Sequence, residues 1–200
     1  MKYNILLLAC LFAFSPLSLA DDSGSGFYGG VGFGISAFED KDFVKVEQPY
    51  VQTTVSKSDR GTKLYFGYQM DEIVGFELGY TDYGSFTAED YVHTIKGIDI
   101  SFNVGYTFVE GTLRPYLIVG MGYVFNEFPH DKIPSLKLDH LSSHIGLGLD
   151  YTPIFASGFG LRIAFERNGY TYSIVQSESV ETNDYKQVVG LLYLGVHYKY

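Results

Sequence analysis

The chain has 200 residues, a formal net charge of −9 and 18 % charged residues. Its length suffices for one domain and is short for two. The acidic balance, with no basic cluster, argues against a nucleic-acid-binding protein, because phosphate backbones are recognised by basic surfaces. Aromatic residues are abundant, with 18 Tyr and 16 Phe but no Trp, and 23 glycines are many for this length.

Residues 1–20 predict a cleaved signal peptide. A positive start, an apolar run over residues 5–14 and small residues before Ala20 are its three parts. We expect cleavage after Ala20, which leaves residues 21–200 as one domain without the only cysteine, Cys10. Lipoprotein processing at Cys10 is the alternative, but it would leave less than the ~7–15 apolar residues that a signal core needs.

The chain ends on a segment with strict period-two alternation, which is typical of a strand with one apolar and one polar face. Its apolar face carries Leu192, Leu194, Val196, Tyr198 and Tyr200. Its other face carries Tyr193, Gly195, His197 and Lys199. The same pattern recurs seven times upstream. The eight predicted strands cover about residues 27–37, 62–70, 73–83, 97–108, 112–125, 143–152, 158–167 and 188–200.

The connections between these strands alternate between short and long. Short turns are predicted near residues 71–72, 109–111 and 153–157, and long polar segments near residues 38–60, 84–96, 126–142 and 168–187. Short periplasmic turns and long extracellular loops are typical of outer-membrane barrels. An even number of strands also lets the last strand pair with the first, so that no unpaired edge faces lipid. No segment after residue 20 approaches the ~20 continuous apolar residues of a membrane helix.

The second face of the strands combines many glycines with a few charges, which fits the crowded interior of a narrow barrel. Its charged residues are Lys63, Glu77, Asp99, Arg114, Asp150, Arg162, Glu166 and Lys199. Four are acidic and four are basic, and buried charges need partners of opposite sign. We therefore predict a charge network inside the barrel. A soluble carrier barrel is the alternative, and it would place its charges outside and its apolar face around a ligand.

Aromatic residues cluster near both ends of the predicted strands, as the two interfacial belts of a membrane barrel do. The belt at the loop ends is predicted to hold Tyr80, Tyr83, Tyr123, Phe125 and Phe165. The belt at the turn ends is predicted to hold Phe27, Tyr106, Phe108, Tyr151, Tyr198 and Tyr200.

The chain resembles the small outer-membrane barrels of the OmpA/OmpX type over essentially all of residues 26–200. The resemblance is carried by the segments 29–34, 76–80, 114–117, 120–123 and 195–200. It implies an all-β, eight-stranded antiparallel transmembrane barrel in a Gram-negative outer membrane, contact with membrane lipids and lipopolysaccharide, and insertion by the barrel-assembly machinery. It also implies a salt-bridge network that includes Glu77, Arg114 and Arg162. The last residue is Tyr where the family usually has Phe, and no peptidoglycan-binding domain follows the barrel in this sequence, so a wall-anchoring role is not expected.

We expect a structural or surface-interaction role through the four loops, with the lumen plugged by polar and charged side chains. A narrow pore for small solutes or ions, gated by the interior charges, is the alternative. The sequence names no surface ligand of the loops. The mixed charge of the first loop could contact lipopolysaccharide, host surfaces or phage, and a solvated loop without a fixed partner is the alternative. We expect no nucleic-acid partner and no cofactor.

Two weaker chemical patterns lie around the third loop. Possible metal ligands there are His130, Asp131, Asp139, His140 and His144, but no pair has a regular ligand spacing. The run Ser142-Ser143-His144 invites comparison with acyl transfer, which enzymes on eight-stranded outer-membrane barrels perform on lipid A. Adjacent strand residues point to opposite faces, so Ser143 and His144 cannot pair directly. We expect neither a metal site nor an enzyme.

Overall fold

The computed structural model describes residues 25–40, 58–88, 91–109, 112–127, 137–175 and 182–200. The predicted signal peptide lies outside these residues. Eight strands form the described part of the chain. They are β1 (Gly26–Asp40), β2 (Ser58–Gln69), β3 (Val74–Ala88), β4 (Tyr91–Gly105), β5 (Leu113–Glu127), β6 (Lys137–Tyr151), β7 (Phe159–Val175) and β8 (Thr182–Lys199).

The strands form one closed antiparallel barrel in sequence order. Closure joins β1 to β8, from Tyr28 opposite Lys199 to Asp40 opposite Gln187. Every strand therefore forms backbone hydrogen bonds with a neighbour on each side, as a lipid environment requires. The predicted eight-stranded all-β fold is confirmed. Among the described residues, no helix has the length and apolar character to cross a membrane.

Short connections gather at one end of the barrel, which we call the turn end. The β2–β3 turn is held by Asp71, whose Oδ1 accepts hydrogen bonds from the amides of Ile73 at 2.8 Å and Val74 at 2.7 Å. The β6–β7 turn closes with Ser157 and Gly158 at positive φ angles of 47° and 92°, which the missing Cβ of Gly158 makes easy. The other end, where β1–β2, β3–β4, β5–β6 and β7–β8 connect, is the loop end.

An apolar band surrounds the middle of the barrel on its outer face. Phe33, Ile100, Leu147 and Leu194 belong to it, and each is 43–67 % exposed although fully apolar. A continuous apolar outer surface of this extent fits a lipid environment and not water. The prediction that the apolar face of the strands lies outside and the polar face inside is therefore correct at this level.

The strands continue beyond their predicted limits at the loop end, and the sequence-based boundaries there are wrong. β7 runs to Val175 where the outer-face pattern predicted an end near Arg167, and β6 begins at Lys137 where the prediction was Ser143. The predicted ends mark where the outer face stops being apolar. Backbone pairing needs no apolar outer face, so the hairpins extend past the band.

Above the band the polarity of the barrel wall reverses. The outer face there carries Glu39, Arg60, Thr171 and Lys186, all exposed. The inner face carries apolar side chains, which form a group that we call the apolar plug. Its members are Phe38, Phe86, Ile95, Val124, Val189 and Leu191, each at most 5 % exposed. This level of the barrel resembles a soluble β-barrel, with an apolar core and a polar surface.

A β-bulge in β3 completes the apolar plug. The β3–β4 register shifts between Asp82 and Ser85, and Gly84 takes a positive φ of 82°. Because the extra residue changes the phase of the alternation, Tyr83 and Phe86 both point inward, at 1 % and 0 % exposed.

Of the predicted belt residues, Tyr83 is the one that the structure contradicts. It lies two positions beyond inward-facing Thr81, so alternation alone directs it into the lumen, where its hydroxyl accepts a hydrogen bond from Asn168 at 2.6 Å. Tyr80, Tyr106, Tyr123, Tyr151 and Tyr200 lie on the outer face and are each at least 40 % exposed. Tyr198 is half-buried on that face, between the rings of Phe159 and Tyr200.

Candidate functional site in the lumen

Inward-facing side chains divide the lumen into three levels, which give the best-defined chemical environment of the described residues. A cavity lies at the turn end, the apolar plug lies at the loop end, and charged residues lie between them. We call this middle group the central ion cluster. Its members are Lys63, Glu77, Asp99, His144, Asp150, Arg162 and Glu166.

Lys63 is the cation in one half of the central ion cluster. Its fully buried ammonium forms a close ion pair with Glu166 and lies 3.6 Å from carboxylate oxygens of both Glu77 and Asp99. These acids come from three different strands, so one side chain of β2 connects β3, β4 and β7. The buried ammonium offsets the negative charge of these carboxylates, which would otherwise be too costly to remove from water.

Arg162 is the cation in the other half. Its Nε and Nη2 donate to the two oxygens of Asp150 at 2.8 and 3.0 Å, and its Nη1 donates to Glu77 Oε2 at 2.7 Å. The paired bonds to Asp150 are the fork-to-fork geometry that makes arginine–carboxylate pairs strong. Glu77 thus lies between Arg162 and Lys63 and links the two halves.

Three tyrosine rings lie at cation–π distances from this guanidinium, those of Tyr28, Tyr65 and Tyr116. They and the ring of Tyr193 pack over glycines of the adjacent strand. A Cβ atom on the facing glycine would collide with each ring, in the pairs Tyr28–Gly67, Tyr65–Gly30, Tyr116–Gly148 and Tyr193–Gly32. The Arg162 guanidinium carbon lies 4.2 Å from the Tyr65 ring centre and 5.1 Å from that of Tyr116, which are cation–π distances. Glycine at these strand positions therefore makes room for rings from other strands.

His144 extends the central ion cluster and was not among the charges predicted to form it. Its Nε2 lies 3.3 Å from Glu166 Oε2 and 3.6 Å from Asp99 Oδ1. These three residues offer ligand atoms within 4.8 Å of one another, a set that could hold a metal ion. The Lys63 ammonium already contacts both carboxylates, so an amine takes the position that a cation would fill.

The cavity at the turn end has a volume of about 330 Å³. Its lining residues are Tyr28, Gln69, Glu72, Thr107, Thr112, Arg114, Asp150, Thr152, His197 and Lys199. Arg114 and Lys199, both predicted for the interior network, lie here and not in the central ion cluster. Arg114 Nη2 donates to Ile73 O at 2.9 Å and to Asn103 Oδ1 at 2.8 Å.

The serine–histidine run on β6 has no catalytic geometry. Ser143 is exposed and donates to Gly169 O at 3.3 Å, while His144 is buried in the lumen. Ser142 shares the inner face with His144 but donates to Asn168 Oδ1 at 2.9 Å.

The metal pattern predicted for the third loop falls partly outside the described residues, which exclude His130 and Asp131. His140 lies on β6, where its ring stacks on Tyr170 with 5.7 Å between centres. His144 lies near two carboxylates, those of Asp99 and Glu166, and both belong to other strands.

Curated relatives of the chain are outer-membrane proteins. It is 23 % identical over 208 residues to outer membrane protein A of Escherichia fergusonii and 24 % identical over 210 residues to that of Escherichia coli O157:H7. Both alignments cover 100 % of this chain and 55 % of the relative. The chain thus spans about half the length of the curated relatives that it matches.

Solved structures with the same fold are also small outer-membrane barrels. Neisserial surface protein A superimposes with a TM-score of 0.59 at 16 % identity, over 89 % of this chain and 98 % of that one. The attachment invasion locus protein Ail of Yersinia pestis, in complex with the heparin analogue sucrose octasulfate, gives 0.54 at 17 % identity, over 88 % and 99 %. OprG of Pseudomonas aeruginosa gives 0.56 at 15 % identity, over 89 % and 96 %. These likenesses establish a shared fold.

The family model of the outer membrane protein beta-barrel domain matches residues 6–199. That match spans nearly the whole chain and agrees with the apolar band, the closed barrel and the curated relatives. The predicted localisation in a Gram-negative outer membrane is therefore confirmed. The chain belongs to the outer membrane protein beta-barrel domain family.

Proposed function

We propose that this protein is a closed, non-enzymatic barrel that presents a rigid platform and four loops at the cell surface. The observation that carries the proposal is the reversal of wall polarity above the apolar band. At that level an apolar plug fills the lumen and polar residues such as Thr171 and Lys186 cover the outside. A wall built for water on its outer face is expected to stand outside the membrane, and binding loops act best on a rigid scaffold.

The height of this platform supports the same role. Val175, the end of β7, lies ten residues beyond Phe165 of the predicted loop-end belt (175 − 165). At about 3.3 Å per residue this is roughly 33 Å of strand, before the tilt of the strands is considered. The loops would therefore be held clear of the lipid headgroups, in reach of lipopolysaccharide sugars and of partners in the medium.

The structure of Ail with a heparin analogue illustrates a surface ligand on a barrel of the same fold. The present chain has a net charge of −9, so we do not transfer that polyanionic ligand to it. Membrane lipids and lipopolysaccharide remain the proposed surroundings of the barrel wall, and the barrel-assembly machinery its proposed partner during insertion.

Labelling of single cysteines in intact cells tests the orientation. Thr171→Cys, on the exposed wall of the platform, is expected to react with a membrane-impermeant maleimide. Ser157→Cys, exposed in the β6–β7 turn, is the matched control and is expected to react only after the outer membrane is opened. Labelling of Ser157→Cys and not Thr171→Cys in intact cells would overturn the proposal.

A narrow pore is the second candidate function, and the polar centre of the lumen with its open cavity favours it. Conductance of the purified protein in planar bilayers separates the two candidates. A closed platform is expected to give no steady conductance, because the apolar plug excludes water and ions. A steady current whose ion selectivity changes in Lys63→Met would establish the pore and reject the closed lumen.

A further inference from the structure

The cavity at the turn end is separate from the loops and from the apolar plug. Its volume of about 330 Å³ is at the lower end of the ~300–1,000 Å³ that small-molecule sites occupy. Three threonine hydroxyls, two basic side chains and an imidazole are among the groups that line it. Convergent polar groups in a concave site are what a small polar ligand requires.

Arg114 is the basic residue of this cavity that forms no direct ion pair among the described residues, although Asp150 lies opposite it in the β5–β6 register. It is 9 % exposed, and its guanidinium donates to the carbonyl of Ile73 and to the side-chain oxygen of Asn103, which are neutral acceptors. Among the described residues, no carboxylate lies within 4.0 Å of it, whereas Lys63 and Arg162 each have at least two such partners. A largely buried cation without a carboxylate at ion-pair distance is costly, and a bound anion would reduce that cost.

His197 supplies an independent sign that a partner is missing. It is 6 % exposed and lines the same cavity. Its Nε2 lies 3.3 Å from Thr152 Oγ1, while its Nδ1 has no hydrogen-bond partner in the described part of the chain. Buried polar atoms are normally satisfied, so an imidazole nitrogen in this position is available to a ligand atom.

Two acidic residues line the cavity as well, and they do not outweigh its two cations. Both oxygens of Asp150 accept hydrogen bonds from Arg162, which Asp150 shares with Glu77, so its charge is partly offset. Glu72 is exposed at the rim, where water and salt screen its carboxylate. Lys199 adds a second cation to the lining.

We propose that this cavity binds a small oxyanion, a carboxylate or phosphate group, with Arg114 as its main contact and Lys199, His197 and the threonine hydroxyls around it. Arginine suits this task because its guanidinium carries five N–H donors, and the hydrogen bonds to Glu72 O, Ile73 O and Asn103 Oδ1 use those of Nε and Nη2, which leaves Nη1 to face such a group. The ligand enters from the turn end, so it comes from the periplasm or from a phospholipid headgroup at that face. The site does not depend on whether the barrel conducts.

Nuclear magnetic resonance of the full mature chain in amine-oxide detergent, which carries neither carboxylate nor phosphate, tests the site. Sodium phosphate is titrated at constant ionic strength, and amide shifts are followed for Thr107, Thr112 and Thr152, with Thr171 at the loop end as internal reference. Saturable shifts confined to the turn end are expected. Acetate is expected to shift the same amides, and dihexanoyl phosphatidic acid tests the headgroup source.

Variants connect the shifts to the proposed contact. Arg114→Gln is expected to weaken phosphate binding at least tenfold, and Arg114→Lys to weaken it less. Lys186→Gln removes a matched charge from the loop end and is expected to leave binding unchanged. Lys199→Gln repeats the test at the chain end if Arg114→Gln does not fold.

The outcomes divide clearly. Tighter binding of phosphate than of the short-chain lipid supports a water-borne ligand, and the reverse supports a headgroup; both support the site. Absence of saturation below about 10 mM in the unaltered protein overturns it, and so does equal binding by folded Arg114→Gln.

Discussion

The central ion cluster and the apolar plug lie at two levels of the same lumen and consist of side chains of opposite polarity. Around the cluster, ion pairs such as Lys63–Glu166 and Arg162–Asp150 lie inside while apolar residues face lipid. Around the plug, apolar residues such as Ile95 lie inside while charged residues such as Lys186 are exposed on the outer face. The polarity of the outer face reverses between the two levels, and the polarity of the inner face reverses with it.

This difference indicates how each level is stabilised. In the central ion cluster, strands are joined by ion pairs and hydrogen bonds. Removal of one partner lowers stability strongly, because the other charges stay buried without it. In the apolar plug they are joined by packing, where the loss scales with the volume removed. The following predictions test that distinction, from the largest expected effect to the smallest.

Replacement of Lys63 should have the largest effect. Lys63→Met keeps an unbranched side chain of similar length but leaves Glu77, Asp99 and Glu166 without their shared ammonium. A loss of about 3–5 kcal/mol in the free energy of unfolding is expected. The measurement is a urea titration of the protein in lipid vesicles. Its midpoint is the urea concentration at which half of the heat-modifiable folded band on a gel is lost. Lys186→Met, on the exposed platform, is the control and should change stability by less than about 0.5 kcal/mol; similar losses in both would reject the ion-pair explanation.

Truncation in the apolar plug should cost slightly less. Ile95→Ala removes buried methyl groups and is expected to lower stability by about 2–5 kcal/mol, measured by the same urea titration. If the two levels are independent, the double variant of Ile95 and Lys63 should show the sum of the two losses within about 0.5 kcal/mol. A large deviation from additivity would show that the two levels act as one unit.

Charges on the outer wall should locate the boundary between the two levels. Ile100→Arg places a charge in the apolar band and should cost about 2–4 kcal/mol, whereas Thr171→Arg on the platform should cost about 0–1 kcal/mol. Folding into vesicles, followed by the same gel shift, measures both. Equal costs would mean that Thr171 also faces lipid and that the boundary between the two levels does not lie below it.

The smallest effect is expected at the β2–β3 turn and depends on pH. The amides of Val74 and Ile73 hold the pKa of the Asp71 carboxyl below its ordinary value of 3.8. A lowered folded-state pKa adds stability that is fully present above the unfolded-state pKa and is lost as pH falls through the folded-state pKa. Asp71→Asn should therefore be less stable than the unaltered protein at neutral pH. The gap between their urea midpoints should narrow below about pH 4, and a gap that widens there would contradict the assignment.

The strand count, closure, lipid-facing band and interior position of the charges could be predicted from sequence, because each follows from period-two alternation and the lengths of the connections. Alternation is a local property, so it places Lys63 and Glu166 on the inner face without knowing their partners. The same alternation places Tyr83 on the inner face, since it continues the face of Thr81.

What only the tertiary structure decided is which inner-face residues meet. The register of neighbouring strands and the curvature of the barrel bring Lys63, Glu77, Asp99 and Glu166 together while leaving Arg114 at the turn end, and no local pattern contains that information. The length of the hairpins beyond the apolar band could not be predicted either, because both faces change polarity there and the apolar pattern of the outer face ends. Gly84 gave no sign of a bulge in the sequence; the positive φ that turns Phe86 inward arises from the pairing of β3 with β4.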